Sequence, residues 1–158
     1  MQKIFVAMDD SEDSLRALAF GQIFAAQLGA DVNVISVVPM QGDIAARRST
    51  LQARIAAHHL EAVALDVVAH DSAKEYLGDL ASQESSSLCM MAHGRRPVSE
   101  MLIGSVTAGV VRRAHRPVYL CGPRYDSRAH QQVDVLAVCV DVSKLSEQIL
   151  PHAATLSK

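Results

Sequence analysis

A chain of 158 residues with 49% apolar side chains has the material for one sizeable core, on the scale of a single ordinary domain. Its formal net charge of −2 gives no global basis for binding nucleic acid or an anionic membrane surface. The opening MQKIFVAMDD reaches an acidic cluster after too few apolar positions for a signal peptide or a membrane span, which predicts a cytoplasmic protein.

Taken in order, short apolar runs alternate with helical patterns. KIFVAMD (3–9), DVNVISVV (31–38), AVALDVVA (62–69), SLCMMA (87–92) and PVYLC (117–121) each have the length of a buried strand. Between the first two, Ala17, Phe20, Ile23, Phe24 and Leu28 recur at helical spacing from Ser11 onward, and Gly29 supplies a stop. Further helices are expected over Ala45–His59, Ser72–Glu84 and Ser105–Ala114. Strict alternation implies right-handed βαβ units and a doubly wound α/β domain, an open parallel sheet of five strands with helices on both faces. Ligands in such sheets sit beyond the carboxyl ends of the strands, where the strand order reverses. Asp9, Val37 and the turn from Met91 to Gly94 all fall at such ends.

Cys89, Cys121 and Cys139 stand singly within apolar runs, without a Cys-x-x-Cys pair, and are expected as small buried hydrophobes. His58, His59 and His70 have no ligand partner at metal spacing, so no protein-built metal site is expected. His93, in the turn, reads more readily as solvated or backbone-bonded than as a catalyst. After the fifth run, GPRYDSRAHQQ has the polar, Gly- and Pro-containing composition of a linker. The segment 134–158 then echoes the amino terminus at an offset of 132 residues, with Val6/Val138, Asp9/Asp141, Ser11/Ser143, Ser14/Ser146 and Leu18/Leu150 coinciding. It reads as a strand plus helix opening a second copy of the same unit. The expected organisation is therefore a domain at 1–121, a linker at 122–133 and an incomplete repeat at 134–158.

The region with most chemical content is MAHGRRPVSEMLIGSVT, residues 91–107. Arg95, Arg96, Arg112, Arg113 and Arg116 face one acid, Glu100, between Gly94 and Arg116, whereas four of the five residues from Asp9 to Asp13 are acidic. A glycine turn leading into a helix start makes an anion site: glycine lets backbone approach closely, and the first amides of a helix are unpaired at the positive end of its dipole. Ser105 is expected as the N-cap, with the hydroxyls of Ser105 and Thr107 adding donors and Arg95 and Arg96 screening terminal phosphates. The same residues also suit an ordinary helix start beside a solvated basic surface, and neither G-x-x-x-x-G-K-[ST] nor a G-x-G-x-x-G after the first strand is present.

AHGRRPVSEMLIGSVT with RRAHRPVYLC, preceded by KIFVAMDDSEDS and VISVV, resembles the universal stress protein family over residues 3–121. The resemblance implies strand order 3-2-1-4-5, and tandem members of that family carry two such domains. In ATP-binding members the pattern is Gly, two residues, Gly, nine residues, Gly, then Ser or Thr; here Gly94, Gly104 and Ser105 match, and the first glycine is replaced by Met91. The resemblance further assigns Asp9 to the ribose or metal side of an adenine nucleotide, Val37 to the adenine through its backbone, and Ser105, Val106 and Thr107 to the phosphates. ATP, with Mg2+, is the cofactor so implied.

Three functions are weighed on this basis. The first is a regulatory module whose adenine nucleotide alters assembly, without a catalytic constellation and with at most slow ATP hydrolysis. The second is a nucleotide-free dimerisation module in which Met91 fills the pocket. In it the edge strand at 117–121 pairs with a second copy or with a second repeat; Asp9 and Ser11 then only cap the first helix. The third, an adenylating enzyme of related architecture, lacks the Ser-Gly-Gly loop it would need after the first strand.

Overall fold

The computed structural model describes residues 2–60, 63–92 and 103–157. Five strands, β1 (Lys3–Ala7), β2 (Asp31–Val38), β3 (Ala64–Ala69), β4 (Ser86–Met91) and β5 (Val118–Cys121), form one parallel sheet in the order β3-β2-β1-β4-β5. Four helices, α1 (Ser14–Leu28), α2 (Ile44–Ala57), α3 (Ala73–Leu80) and α4 (Ser105–Arg113), connect them. The doubly wound sheet and its strand order are as expected.

Both faces of the sheet are covered, so its interior strand β4 is buried throughout, whereas the outer β3 alternates between exposed and buried positions. Ile4, Val6 and Val34 pack with Leu15, Leu18 and Phe24 of α1 and with Leu51 and Ile55 of α2 on one face. Ile35, Leu88 and Met90 pack with Leu77 and Leu80 of α3 and Val110 of α4 on the other. Each such side chain, fully buried, contributes about 1.5–3 kcal/mol of transfer free energy. β4, flanked by β1 and β5, is buried at all six positions.

Local chemistry sets the helix ends. Gly29 takes the left-handed conformation (φ 60°) that terminates α1, with Ala30 N–H bonding back to Ala25 O at 2.9 Å. Asp43 caps α2, its carboxylate accepting from Ala46 N at 2.9 Å. α1 begins at Ser14, after Asp13, and neither Asp9 nor Ser11 is its cap.

The residues after β5 depart from expectation. Within the expected linker, Tyr125 meets Phe20 edge to face at 5.0 Å between centroids, and Arg16 Nη1 donates to Pro123 O at 2.7 Å, so this segment is fastened to α1. The strand expected at the start of 134–158 is not formed: residues 133–140 pair with no strand, and a 3-10 turn (Ser146–Ile149) leads into the short helix α5 (Leu150–Leu156). The physical reason lies in the neighbours. Ile4 and Leu136, which follow similar sequence 132 residues apart, differ in surroundings: Ile4 is fully buried between β2 and β4, whereas Leu136 is 41% exposed with no flanking strand among the described residues to satisfy its backbone. Cys139, in the same stretch, is exposed rather than buried.

What the copy does retain is the turn. Ser11 N donates to Asp9 Oδ1 at 3.0 Å and Ser14 Oγ to Ser11 O at 2.8 Å; Ser143 N donates to Asp141 Oδ1 at 3.0 Å and Ser146 Oγ to Ser143 O at 3.0 Å. Hydrogen bonds from Ser143 and Ser146 pull the Asp141 carboxyl down to about 2. This geometry depends only on near neighbours in sequence, so it survives without the sheet.

Candidate functional site

The order β3-β2-β1-β4-β5 reverses direction between β1 and β4, and a cleft of about 940 Å³ opens over the carboxyl ends of the strands there. β1 leads into Asp9 and Ser11, β2 contributes Val37 and Val38, β4 ends at Met91, and α4 enters from the side with Gly104 to Thr107. The strand ends and the last helix of the domain thus converge on one hollow. Gly94 and Arg95, with the rest of 93–102, lie outside the described residues. A second hollow of about 720 Å³, lined by Lys3, Asp31, Asn33 and His59, sits at the opposite ends of the strands, away from the switch point.

The helix start differs from its sequence reading in one respect. Gly104, at φ −58° and ψ 152°, is the N-cap, and its carbonyl accepts the first helical bond from Ala108 N at 2.8 Å. Ser105 is consequently the first helical residue rather than the cap. Gly104 N donates to Ala92 O at 2.9 Å, which pins the cap against the end of β4. The amides of Ser105, Val106 and Thr107 precede the first intrahelical bond and have no partner among the described residues. They are oriented donors at the positive end of the helix dipole.

Thr107 is turned inward. It is 2% exposed, and its hydroxyl donates to Met91 O at 3.1 Å, so the hydroxyl is engaged with β4 and only the amide remains for a ligand. Met91, 8% exposed, lies in the core cluster with Met8 and Cys121 on the α1 face. Its side chain borders the cleft without filling it. Asp9 is held by Ser11, whose backbone N and Oγ stand 3.0 and 2.5 Å from Asp9 Oδ1.

Arg47 and His70 are among the lining residues that were not singled out from sequence as cleft residues. Arg47 of α2 reaches Ser36 Oγ through Nη1 at 3.4 Å and Asp10 Oδ2 through Nη2 at 3.5 Å. Its signal was available in retrospect: it lies four residues beyond the cap Asp43, one turn into the helix that follows β2. His70, after β3, lines the same wall; its Nδ1 accepts from Ser72 N at 3.0 Å and its ring lies 5.5 Å from that of Tyr76. Among the described residues no group of three His, Cys, Asp or Glu is placed to hold a metal ion. The cleft offers donors, the carboxylates of Asp9 and Asp71 and apolar walls, an arrangement suited to holding a ligand of mixed polarity; the buried Ser14 hydroxyl lies within 3.0 Å of the Asp9 and Ser11 carbonyls and, among the described residues, bonds no histidine.

Comparison with known proteins bears on this geometry. The model of the universal stress protein family matches residues 1–122. A universal stress protein from Archaeoglobus fulgidus has the same fold, with a TM-score of 0.62 at 23% identity over 76% of this chain and 98% of its own. A universal stress protein solved in complex with cAMP aligns at 25% identity and a TM-score of 0.57, over 75% of this chain and 94% of its own. Another, from Archaeoglobus fulgidus DSM 4304, aligns at 25% identity and a TM-score of 0.54 over 78% of this chain but only 45% of its own. No curated protein matches the sequence. No described helix is long and apolar enough to cross a membrane.

Proposed function

The chain belongs to the universal stress protein family, and from that premise we propose that it is a regulatory module that binds ATP or a related adenine nucleotide in the cleft over β1, β2 and β4. The observation that carries this reading is the convergence of α4's three unpartnered amides with Asp9 and Val37 on one hollow at the switch point. In this reading the phosphates meet the amides of Ser105, Val106 and Thr107, Asp9 faces the ribose or a Mg2+ carried by the nucleotide, and the β2 backbone at Val37 meets the base. The sequence resemblance assigns Gly94 and Arg95, which lie outside the described residues, to the phosphate side. A related family member solved with cAMP is consistent with an adenine nucleotide as ligand. In this reading hydrolysis is at most slow, since among the described residues no cleft serine is hydrogen-bonded to a histidine.

Thermal melting with and without Mg-ATP tests the reading. At 100 times its dissociation constant a ligand adds about 2.7 kcal/mol, a readily visible shift in Tm. An unchanged melting curve at millimolar ATP, ADP, AMP and cAMP would refute it.

A second reading concerns assembly. The outer edge of β5 pairs with no strand among the described residues, and we propose that a second copy, or a second repeat, covers it. The Asp141–Ser143–Ser146 turn, which repeats that of Asp9–Ser11–Ser14, supports treating 134–158 as the beginning of such a repeat. Sedimentation across a concentration range tests self-association.

A further inference from the structure

The guanidinium of Arg47 borders the cleft with most of its donors unmatched among the described residues. Its side chain is only 15% exposed, yet of its five N–H donors two make contacts, to Ser36 Oγ at 3.4 Å and Asp10 Oδ2 at 3.5 Å, both at the long end of the range. Among the described residues it has no other partner. The exposed Arg113, by contrast, places Nε 2.6 Å from Asp79 Oδ1. A largely buried donor set left short of acceptors is costly by itself and awaits a group that can accept. Since Arg47 also lines the cleft, the acceptor can come from a bound molecule.

Position says which part of that molecule. Ser36, which Arg47 touches, lies on β2, while the amides of Ser105 to Thr107 lie beside β4, with β1 between. Two strand spacings, about 9.5 Å, separate β2, where Arg47 meets Ser36, from β4 beside the α4 amides, and the Arg47 contact with Asp10 reaches toward the end of β1 between them. A molecule that satisfies both is elongated, anionic at one end and rich in acceptors at the other. Asp10 already balances part of the Arg47 charge, and Asp9 and Asp71 also border the cleft, so the second group is better a neutral acceptor than a second phosphate.

We propose that Arg47 is a ligand-binding residue that recognises neutral acceptor atoms on the nucleoside end, either the ribose hydroxyl oxygens or the edge of the base. This rests on the nucleotide reading given above and adds to it the residue that distinguishes a nucleotide from a bare polyphosphate. His70, on the same wall, borders that end.

The test compares ATP, 2′-deoxy-ATP, GTP and inorganic tripolyphosphate by isothermal titration on wild-type protein and on Arg47→Gln and Arg47→Lys. Loss of a charge-assisted bond of this kind weakens ATP binding roughly 10- to 100-fold in Arg47→Gln. Lysine keeps the charge but not the planar fork, and restores only part of the affinity. Tripolyphosphate, held at α4, binds both variants as it binds wild type. If the acceptors are ribose oxygens, deoxy-ATP binds wild type as weakly as ATP binds Arg47→Gln; if they belong to the base, GTP and ATP differ in wild type and the difference shrinks in the variant. ATP affinity within twofold of wild type in Arg47→Gln overturns the proposal, as does an equal loss of ATP and tripolyphosphate, which would mark Arg47 as structural. Failure of wild type to bind either ATP or tripolyphosphate would instead remove the nucleotide reading itself, and the proposal with it.

Discussion

The hydroxyl of Thr107 donates to the backbone carbonyl of Met91 across 3.1 Å in a buried setting, joining the first turn of α4 to the last residue of β4. This bond holds the helix start over the strand end, so the α4 side of the cleft is positioned by a side chain whose hydroxyl is already engaged with β4. Thr107→Val keeps the shape but leaves the Met91 carbonyl without that donor. It should lower unfolding free energy by about 1–3 kcal/mol in urea titrations, and Thr107→Ser should lose much less. Equal stability of the valine variant and wild type would show that the bond contributes nothing.

Gly21 sits where α1 crosses β1. A Cβ there would stand 2.6 Å from Val6 Cγ2 and 3.5 Å from Cys89 Sγ. Alanine in a helix interior ordinarily gains up to about 1 kcal/mol over glycine. Here the branched Val6 side chain has little freedom to yield, and overpacking costs about 1–3 kcal/mol. Gly21→Ala is expected to lower Tm; a raised Tm would mean that the helix can move away from the sheet without loss.

Met91 stands where the family's ATP-binding pattern carries glycine, and its burial decides what substitution does. Met91→Gly should remove about 3 kcal/mol or more of stability, through a cavity and a glycine placed in a strand, as measured by denaturant unfolding. Met91→Leu, which conserves volume, should retain stability within about 1.5 kcal/mol and bind nucleotide as wild type does. Tighter binding in Met91→Ala than in Met91→Leu would point instead to a side chain that obstructs the cleft.

The buried thiols predict a dependence on alkaline pH. Burial raises Cys89 far above the ordinary thiol range, with Cys121 beside it adding to the shift, and burial pushes Cys121 up to about 11 from 9.0. Between those values the folded chain holds protons that the unfolded chain releases. The stabilisation is thus complete below pH 9 and declines as pH rises through 11. Denaturation midpoints should fall above about pH 9, and less steeply in Cys89→Ala or Cys121→Ala than in wild type. Iodoacetamide at neutral pH should label the exposed Cys139 in the folded protein and reach the other two only after unfolding.

The fold was legible because its determinants are local. Buried runs of strand length, helical spacing between them and a glycine stop at Gly29 each depend on a few consecutive residues, and their alternation leaves few topologies. The turn at Asp9 and Ser11 is equally local, and the same turn geometry at Asp141 and Ser143 forms without a sheet around it. Where the cleft would open followed from the strand ends, so Asp9, Val37 and Met91 were identifiable from sequence, and Gly104 from the glycine that leads into a helix start.

What needed tertiary structure was every feature set by residues distant in sequence. Val135 to Val140 has the composition of a strand, but a strand exists only beside another that accepts its hydrogen bonds, and pattern alone does not supply that neighbour. Whether Thr107 points to a ligand or to β4, whether Met91 fills the cleft or the core, and whether Arg47 reaches the hollow depend on how helices settle against the sheet. The amino-acid order thus determined by itself which segments become strands, helices and turns, through steric and hydrogen-bonding preferences acting over a few residues. Packing between those segments decided which side chains face the cleft, because burial and the pairing of polar groups are satisfied only once distant parts of the chain have come together.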